Sequence, residues 1–392
     1  MPNRAAWALV AVMLPLFSAP ACRAVDPLEE SMPATYRLYF GTYTRQGGSR
    51  GIYRAQLDTA TGRVSEPQLA GEAGNPSFLA LHPGGKHLYA VGEDGAFQQE
   101  QAGSVSAFVI EAETGDLKLI NQRSSKGKHP CHINVDAAGG HALVANYTGG
   151  NVVSLPIAAD GSLGEAVSVV QHKGSSVHPQ RQKQPHAHSV DLIAGDRYAV
   201  AADLGIDQVL LYRYAAGKLS FASSAAVPPG SGPRHTALHP DGKTLYVINE
   251  LNSTMTAMRF DAQAGELKPF QTVSTLPLGD VVPGNSTAEV ACHPSGRFVF
   301  GSNRGHNSLV TYAVQADTRE LLLVAHTPTG GKTPRHFALD PAGRFLLALN
   351  QDSDTVSVFR VDGQSGVLTP TGQVLNVPAP VCVRFQALPG VR

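Results

Sequence analysis

The feature that most constrains the fold is an internal repeat in which two short apolar runs flank a turn that contains glycine. Its six copies include FLALHPGGKHLYAVGE, TALHPDGKTLYVINEL and FALDPAGRFLLALNQD. The steps between successive copies are 54, 56, 47, 54 and 47 residues, measured between the turn glycines Gly85, Gly139, Gly195, Gly242, Gly296 and Gly343. Alternating apolar runs separated by turns at such short intervals predict an all-β protein.

A second pattern gives the number of repeating units. A strand, a polar turn and another strand follow each unit, and this pattern has seven copies, among them VIEAETGDLKLI and RFDAQAGELKPF. Four strands in roughly 50 residues is the size of a propeller blade. The missing seventh copy of the first pattern is PVCVRF near the C-terminus. It would complete a blade begun by the N-terminal segment RLYFGTYTRQGGSRGIYRAQL, so that the ring has no unpaired terminal strand edge. The sequence therefore predicts one domain at residues 35–388, an all-β, seven-bladed β-propeller closed by N- and C-terminal strands that share a blade.

The composition fits such a protein and excludes one class of partner. The 40 glycines and 27 prolines suit a chain with many turns. The 31 basic and 31 acidic residues give zero net charge, which argues against nonspecific binding of nucleic acid, because that needs clustered Lys and Arg.

The N-terminus predicts export. Arg4 precedes the apolar run AAWALVAVMLPLFSAP, which is too short and too interrupted by proline to span a membrane comfortably. Ala19 and Ala21 form an Ala-x-Ala cleavage site, so residues 1–24 are interpreted as a signal peptide of a periplasmic or secreted protein. Cys22 directly after Ala21 leaves a lipid anchor open, and a buried N-terminal helix is a further alternative.

The four cysteines, Cys22, Cys131, Cys292 and Cys382, are far apart and show no C-x-x-C spacing. This distribution indicates neither a zinc site nor a disulfide framework, and buried free thiols are expected.

Blade topology predicts where the polar residues meet. In a four-stranded meander, successive connections alternate between the two faces, so the loop before the innermost strand and the loop after the second strand share a face. In GPRHTALHPDGKTLYVINELNST, Arg234 lies in the first kind of loop and Glu250 in the second. The residues predicted in this way to surround one mouth of the channel are His132, His186, His188, Asp203, Arg234, His235, Asn249, Glu250, Arg304, Arg335 and His336. A group of cations with a few carboxylates suits a small anionic ligand.

Structural roles compete with this interpretation. His82, His239 and His293 lie in LHP or CHP turns and are interpreted as structural. The histidines before the strands could have a purely structural role, in which they bond neighbouring turns. Arg335 could likewise be a structural copy of Arg234. Glu250 is harder to explain structurally, because a carboxylate beside an arginine at a channel mouth indicates a functional site.

The same stretches resemble the seven-bladed lactonase family, which includes propeller-type 6-phosphogluconolactonases and carboxymuconate lactonising enzymes. The resemblance covers essentially the whole mature chain and rests on GTYT, PHAHS, DLGID, GPRH…NELNS and SNRGHNS. It implies a site of His, Arg and Glu without metal or cofactor, at His186 or His188, Arg234, Glu250 and Arg304. It also implies a small anionic substrate, a sugar-acid lactone such as 6-phosphogluconolactone. The export signal departs from the commonest members of the family and leaves the lactone open; a monomer is expected.

Lactone hydrolysis needs a base to activate water, a partner for the carbonyl oxygen and an acid for the departing alkoxide. Glu250 and a histidine can transfer protons, Arg234 can stabilise the oxyanion, and Arg304 can hold a carboxylate or phosphate. The sequence does not decide whether Glu250, His186 or His188 is the base, and the absence of G-x-S-x-G argues against a serine esterase. Substrate binding is predicted for His132, Asp203, His235, Asn249, Arg304 and Arg335.

Three other functions stay open. A non-catalytic periplasmic propeller could bind or scaffold a partner, since a fold alone does not establish a function. A muconate-type lactonising enzyme is a second possibility. A metal-dependent lactonase is the third, because His186 and His188, two apart on an extended strand, would point the same way and could chelate zinc.

Overall fold

A computed structural model describes residues 35–44, 48–280 and 282–388. Within these residues, 28 strands form seven four-stranded antiparallel sheets, each of which is one blade. The prediction of a seven-bladed β-propeller is confirmed. The predicted signal peptide, residues 1–24 with Cys22, lies outside the described residues, and no helix within them is long and apolar enough to cross a membrane.

Blade 1 joins the two ends of the chain. Its strands, from the channel outward, are β28 (Pro380–Ala387), β1 (Thr35–Thr42), β2 (Gly51–Asp58) and β3 (Gln68–Glu72). The antiparallel pairing of β1 with β28 runs from Tyr36 opposite Ala387 to Thr42 opposite Pro380. The predicted closure of the ring by both termini is therefore confirmed.

The other six blades follow in chain order, each with its innermost strand first. Blade 2 contains β4 (Leu79–Leu81), β5 (His87–Gly92), β6 (Ser104–Ile110) and β7 (Leu117–Ser124), and blade 3 contains β8 (Pro130–Val135), β9 (His141–Asn146), β10 (Asn151–Pro156) and β11 (Ser168–Gln171). Blade 4 contains β12 (Ala187–Ile193), β13 (Tyr198–Asp203), β14 (Gln208–Ala215) and β15 (Lys218–Ala226), and blade 5 contains β16 (Pro233–Leu238), β17 (Thr244–Asn249), β18 (Thr254–Asp261) and β19 (Glu266–Ser274). Blade 6 contains β20 (Ser286–Cys292), β21 (Phe298–Arg304), β22 (Ser308–Val314) and β23 (Leu321–Pro328), and blade 7 contains β24 (Pro334–Leu339), β25 (Phe345–Asn350), β26 (Thr355–Val361) and β27 (Leu368–Asn376). Innermost strands of neighbouring blades contact one another around the ring, including β28 with β4 and with β24.

The hydrophobic core lies between neighbouring blades. One cluster, for example, packs Tyr246 and Ile248 of blade 5 against Val299 and Tyr312 of blade 6. Burying such apolar faces stabilises each blade only when the next one is present, so the closed ring buries every face.

The histidines of the LHP and CHP turns fasten one blade to the next. His82 Nε2 lies 3.1 Å from the carbonyl oxygen of Gly139, and His239 makes the same contact with Gly296 at 2.9 Å. His293 contacts the Gly343 carbonyl, also at 2.9 Å. These carbonyls belong to the repeat's own turn glycines, which confirms the structural interpretation of these histidines.

Candidate active site

An extra residue in the innermost strand decides which side chain faces the upper channel. The strand pairing shifts register between Pro130 and His132, Ala187 and Ser189, Pro233 and His235, and Pro334 and His336. Such a β-bulge bends the strand and re-aims a side chain. The four inserted residues, which we call the bulge residues, are Cys131, His188, Arg234 and Arg335, and all four line the upper channel.

Three bulge residues, Cys131, His188 and Arg335, and the loops above them form a cleft of about 400 Å³ at one mouth of the channel. Arg234 lines a small adjoining pocket that Cys131 and Arg335 also border. Its charged and titratable lining includes Glu93, Arg181, His188, Glu250, Arg304 and Arg335. A concave site with a few convergent polar groups is the usual form of a small-molecule site, and this one is large enough for a sugar-sized lactone.

Glu250 lies at the centre of the charge network in this cleft. Its Oε2 accepts hydrogen bonds from Arg234 Nε at 3.1 Å and lies 3.0 Å from Arg304 Nη2, while Oε1 accepts from Arg181 Nη2 at 2.7 Å. Arg234 and Glu250, predicted from the meander to share a face, are therefore in direct contact.

Glu250 is ionised under all ordinary conditions. The side chain is only 4% exposed, and burial by itself would raise its pKa. The charges of Arg304, Arg234 and Arg181 outweigh burial and hold the pKa of Glu250 well below its usual value. A carboxylate of such low basicity is poorly suited to remove a proton from water.

His188 is the histidine that the bulge brings into the cleft. Its Nε2 lies 3.9 Å from Glu250 Oε2, and its Nδ1 lies 3.6 Å from the Sγ atom of Cys131. Burial, followed by the charges of Arg234 and His235, lowers the pKa of His188 well below its ordinary value. The imidazole is therefore neutral at neutral pH, and one of its ring nitrogens carries a lone pair that can accept a proton.

His186 is not in the cleft, contrary to the prediction from the sequence. Its ring stacks on Tyr147 with centroids 4.5 Å apart, while His188 meets Tyr147 edge-on at 5.3 Å. Its Nδ1 contacts the Tyr147 carbonyl at 2.9 Å. The two histidines have different polar neighbours, because the bulge between Ala187 and Ser189 interrupts the alternation of the strand and places His188 beside Cys131 and Glu250. In the described residues, no group of three or more His, Cys, Asp or Glu side chains is arranged to hold a metal ion.

The histidines that follow three bulge residues lie one layer deeper than predicted. His132, His235 and His336 line a second cavity of about 340 Å³ below the cleft, together with Asp191, Glu289 and Arg384. We call this group the lower layer. The reason is again the bulge, because the residue after it returns to the regular strand and faces a different depth of the channel. His132 and His235, predicted to bind substrate, therefore do not line the cleft, although His235 and His336 also border the small pocket that contains Arg234.

Asp203 and Asn249 are structural residues and not part of the mouth. Asp203 is fully buried, lies 2.6 Å from His172 Nδ1 and accepts hydrogen bonds from the backbone amides of His186 and Gly205. Asn249 is also fully buried and donates to the hydroxyls of Thr254 and Thr256. Both residues end a second strand: the side chain of Asp203 bonds the amides of two loops, and that of Asn249 bonds the neighbouring strand β18.

Sequence reasoning missed five cleft residues, which are Glu93, Cys131, Tyr147, Arg181 and Ser286. Glu93 and Tyr147 occupy the first position after the second strand of blades 2 and 3, which is the position of Glu250 in blade 5. Applying that rule to every blade would have found both. Arg181 gives no such signal, because it lies in the long irregular connection between β11 and β12.

Arg335 differs from the other cleft arginines because it forms no hydrogen bond with any described residue. Its guanidinium carbon lies 5.4 Å from the centre of the Tyr43 ring, and the Tyr43 hydroxyl donates to Glu93 Oε2 at 2.8 Å. Arg304, by contrast, contacts Glu250 and donates to the Thr287 carbonyl. Arg335 therefore has its hydrogen-bond donors available for a ligand.

Comparison with known proteins gives a consistent result. A family profile described as Lactonase, 7-bladed beta-propeller matches residues 37–385. The 6-phosphogluconolactonase of Bacillus subtilis is 38% identical, with 89% of this chain and 98% of the relative covered. The 6-phosphogluconolactonase of Formosa agariphila is 33% identical, with coverage of 87% and 96%.

A solved structure shows the same fold. The periplasmic gluconolactonase of Pseudomonas aeruginosa superimposes with a TM-score of 0.84 at 36% identity, covering 91% of this chain and 100% of the other. The propeller fold, the profile match over nearly all described residues and these relatives agree. The chain therefore belongs to the seven-bladed β-propeller lactonase family.

Proposed function

We propose that this protein is a lactonase that hydrolyses a sugar-acid lactone with an anionic tail, either 6-phosphogluconolactone or a related compound. One observation carries the proposal: a single sugar-sized cleft is lined by the neutral His188, by Glu250 with its arginine network and by Arg335, which has no hydrogen-bond partner among the described residues. The names of the Bacillus subtilis and Formosa agariphila relatives support the same activity.

The reaction assigns one role to each group. His188 Nε2 takes a proton from a water molecule, whose oxygen attacks the lactone carbonyl carbon. Arg234 stabilises the resulting oxyanion through Nη2, which forms no hydrogen bond with a described residue, and burial strengthens this interaction. When the ester C–O bond breaks, the departing ring oxygen takes the proton back from His188. The product is the open hydroxy acid, and His188 returns to its neutral form.

Glu250 acts in this scheme by charge and position. Its carboxylate holds Arg181, Arg234 and Arg304 together, and without it these neighbouring cations would repel one another. The low pKa of Glu250 supports this structural and electrostatic role and argues against Glu250 as the general base. We therefore assign the general base to His188.

A thiol nucleophile is disfavoured although Cys131, His188 and Glu250 lie in a row. Burial raises the pKa of Cys131, and the neighbouring His188 has a lowered pKa, so proton transfer from the thiol to the imidazole is strongly uphill. The Cys131 Sγ also donates to the backbone carbonyl of His188 at 3.3 Å. Water is therefore the nucleophile in our proposal.

The charge of the cleft favours an anionic lactone. Among the described residues that line the cleft and its adjoining pocket, Arg181, Arg234, Arg304 and Arg335 accompany two carboxylates, Glu93 and Glu250, which is a formal excess of two positive charges. Arg335 is the cation without a hydrogen-bond partner among the described residues, and a guanidinium binds a phosphate or carboxylate through two parallel hydrogen bonds. We assign the anionic tail of the substrate to Arg335.

A panel of lactones tests the proposal. Wild-type protein should hydrolyse 6-phosphoglucono-δ-lactone with a higher kcat/KM than glucono-δ-lactone, because the second lacks the anionic tail. Arg335→Met should raise KM for the phosphorylated lactone at least about tenfold and affect the neutral lactone much less. Lys268→Met, which removes an equal charge from an exposed position on β19, is the matched control. Failure to hydrolyse any lactone would contradict the enzyme and favour a binding protein, and a muconolactone in the panel tests the lactonising alternative.

We also propose that the reaction takes place outside the cytoplasm. Two observations support this: the signal-like sequence of residues 1–24 and the similarity to a protein described as periplasmic in Pseudomonas aeruginosa. Mass spectrometry of protein from its native host should show a new N-terminus at Cys22 or Val25. A diacylglyceryl group on Cys22 would establish the lipid-anchored form, whereas active protein that retains Met1 would contradict export.

A further inference from the structure

The lower layer contains a carboxylate that the proposed reaction does not use. Glu289 lies on β20 of blade 6 and is buried. Its Oε1 and Oε2 atoms lie 3.0 and 3.1 Å from Nδ1 of His235 in the neighbouring blade 5. Glu289 thus contacts the imidazole that supports Arg234 from below.

The partners of His235 determine which ring nitrogen carries hydrogen. Arg234 Nη1 lies 3.1 Å from His235 Nε2, and a guanidinium can only donate, so Nε2 must be the acceptor. Nδ1 therefore carries the hydrogen and donates it to Glu289. Burial and then the charge of Arg234 lower the pKa of His235 well below its usual value, which keeps the ring neutral.

Arg234 is consequently held from three sides. Its Nη1 donates to His235 and to the Ala288 carbonyl at 2.7 Å, and its Nε donates to Glu250. A continuous chain of hydrogen bonds runs from Glu289 through His235 and Arg234 to Glu250. This chain fixes the direction in which the remaining nitrogen, Nη2, points.

We propose that Glu289 is a positioning residue for Arg234 and acts through His235. The inference rests on the proposed function, in which Arg234 stabilises the oxyanion. Without the carboxylate, His235 can move its hydrogen to Nε2, where it would oppose the Arg234 Nη1 hydrogens and displace the guanidinium. A misplacement of about 1 Å can lower a rate about 100-fold.

Glu289→Gln tests the inference, because it keeps the size of the side chain but adds an amide that can donate to His235 Nδ1. We expect kcat to fall about 10- to 100-fold, while KM changes less because Arg335 still holds the tail. Asp191→Asn is the matched control, since Asp191 is a carboxylate of the same layer that bonds Thr236 and Asn134 rather than His235. Melting curves of both variants exclude unfolding.

A double-mutant cycle separates positioning from a general structural role. In an Arg234→Met background, Glu289→Gln should lower kcat no further, whereas Asp191→Asn should have the same effect as in wild type. Equal losses from Glu289→Gln in both backgrounds would overturn the inference. If Glu289→Gln does not fold, His235→Gln interrupts the same chain and should give the same cycle.

Nitrogen-15 NMR of His235 gives a readout that does not depend on activity. Wild-type protein should show hydrogen on Nδ1 and a bare Nε2, and Glu289→Gln should shift this tautomer while Asp191→Asn preserves it. An unchanged tautomer in Glu289→Gln would contradict the inference. If wild type hydrolyses no lactone, the proposed function fails, and the NMR result alone decides whether Glu289 orients His235.

Discussion

Blades 5 and 7 carry the same Arg–His pair in the same place, yet the two arginines have different surroundings. Pro233 opposite Asn249 in blade 5 corresponds to Pro334 opposite Asn350 in blade 7, and a bulge follows in both. Arg234 is nevertheless locked to Glu250, whereas Arg335 has no hydrogen bond to a described residue and lies over Tyr43.

One cause of this difference is the residue that follows the second strand of each blade. The position after the second strand holds Glu250 in blade 5 and Gln351 in blade 7, and Gln351 is neutral and donates to Asp352. A carboxylate at this position fixes the arginine of its own blade, while an amide leaves the arginine available. A repeated scaffold can thus supply an oxyanion partner from one blade and a tail-binding cation from another.

Glu250→Gln makes blade 5 imitate blade 7 and should have the largest effect. Activity should fall about 10³-fold, because Arg234 loses its orientation and three arginines lose their common partner. The free energy of unfolding should fall by about 3–5 kcal/mol, the usual cost of removing one partner from a buried ion pair. Kinetics on the best lactone and chemical denaturation measure both quantities. Wild-type activity in this variant would show that the two blades are interchangeable.

His188→Asn removes the proposed base, which is the bulge residue of blade 4. Turnover should fall about 100-fold. His186→Asn, outside the cleft, is the control and should retain most activity. In the wild-type protein, His188 cannot act as a base once it is protonated. Because its pKa lies below 6.5, activity should fall only when the pH drops below that value. An acid limb above that pH, or equal losses in the two variants, would speak against His188.

Gln351→Glu performs the reverse exchange and makes blade 7 imitate blade 5. The new carboxylate should pair with Arg335 and compete with the anionic tail, so KM for a phosphorylated lactone should rise about tenfold. The effect on kcat should be small, because Arg234 and His188 are untouched. Steady-state kinetics with phosphorylated and neutral lactones check the change, and an equal rise for both substrates would count against a tail-binding Arg335.

Cys131→Ala should have the smallest effect of the series. Cys131 is the bulge residue of blade 3, but burial raises its pKa and the thiol stays protonated. Turnover should therefore stay within about a factor of ten, well short of the loss expected for a missing nucleophile. A loss comparable to that of His188→Asn would revive the thiol mechanism, and trapping of a thioester by mass spectrometry would establish it.

Much of the site could be predicted because it is local to one blade. The contact between Arg234 and Glu250 follows from the two strands that separate them, since strand register and alternating connections fix both ends of the meander. The same rule extended to blades 2 and 3 finds Glu93 and Tyr147. It could not find Arg181, which lies outside the repeat, and it placed His186 in the cleft because the bulge at His188 was not anticipated.

The sequence by itself determined the number of blades, the shared closing blade and the face on which the polar residues gather. These features depend on the strand period and the turn residues, which act over short distances along the chain. Only the tertiary structure decided the depth of each side chain in the channel: His188 and Arg335 in the cleft, His132, His235 and His336 in the lower layer. Depth depends on bulges and on contacts between blades distant in sequence. The same contacts set the charge of each group, so the low pKa of Glu250 follows from arginines contributed by three different parts of the chain.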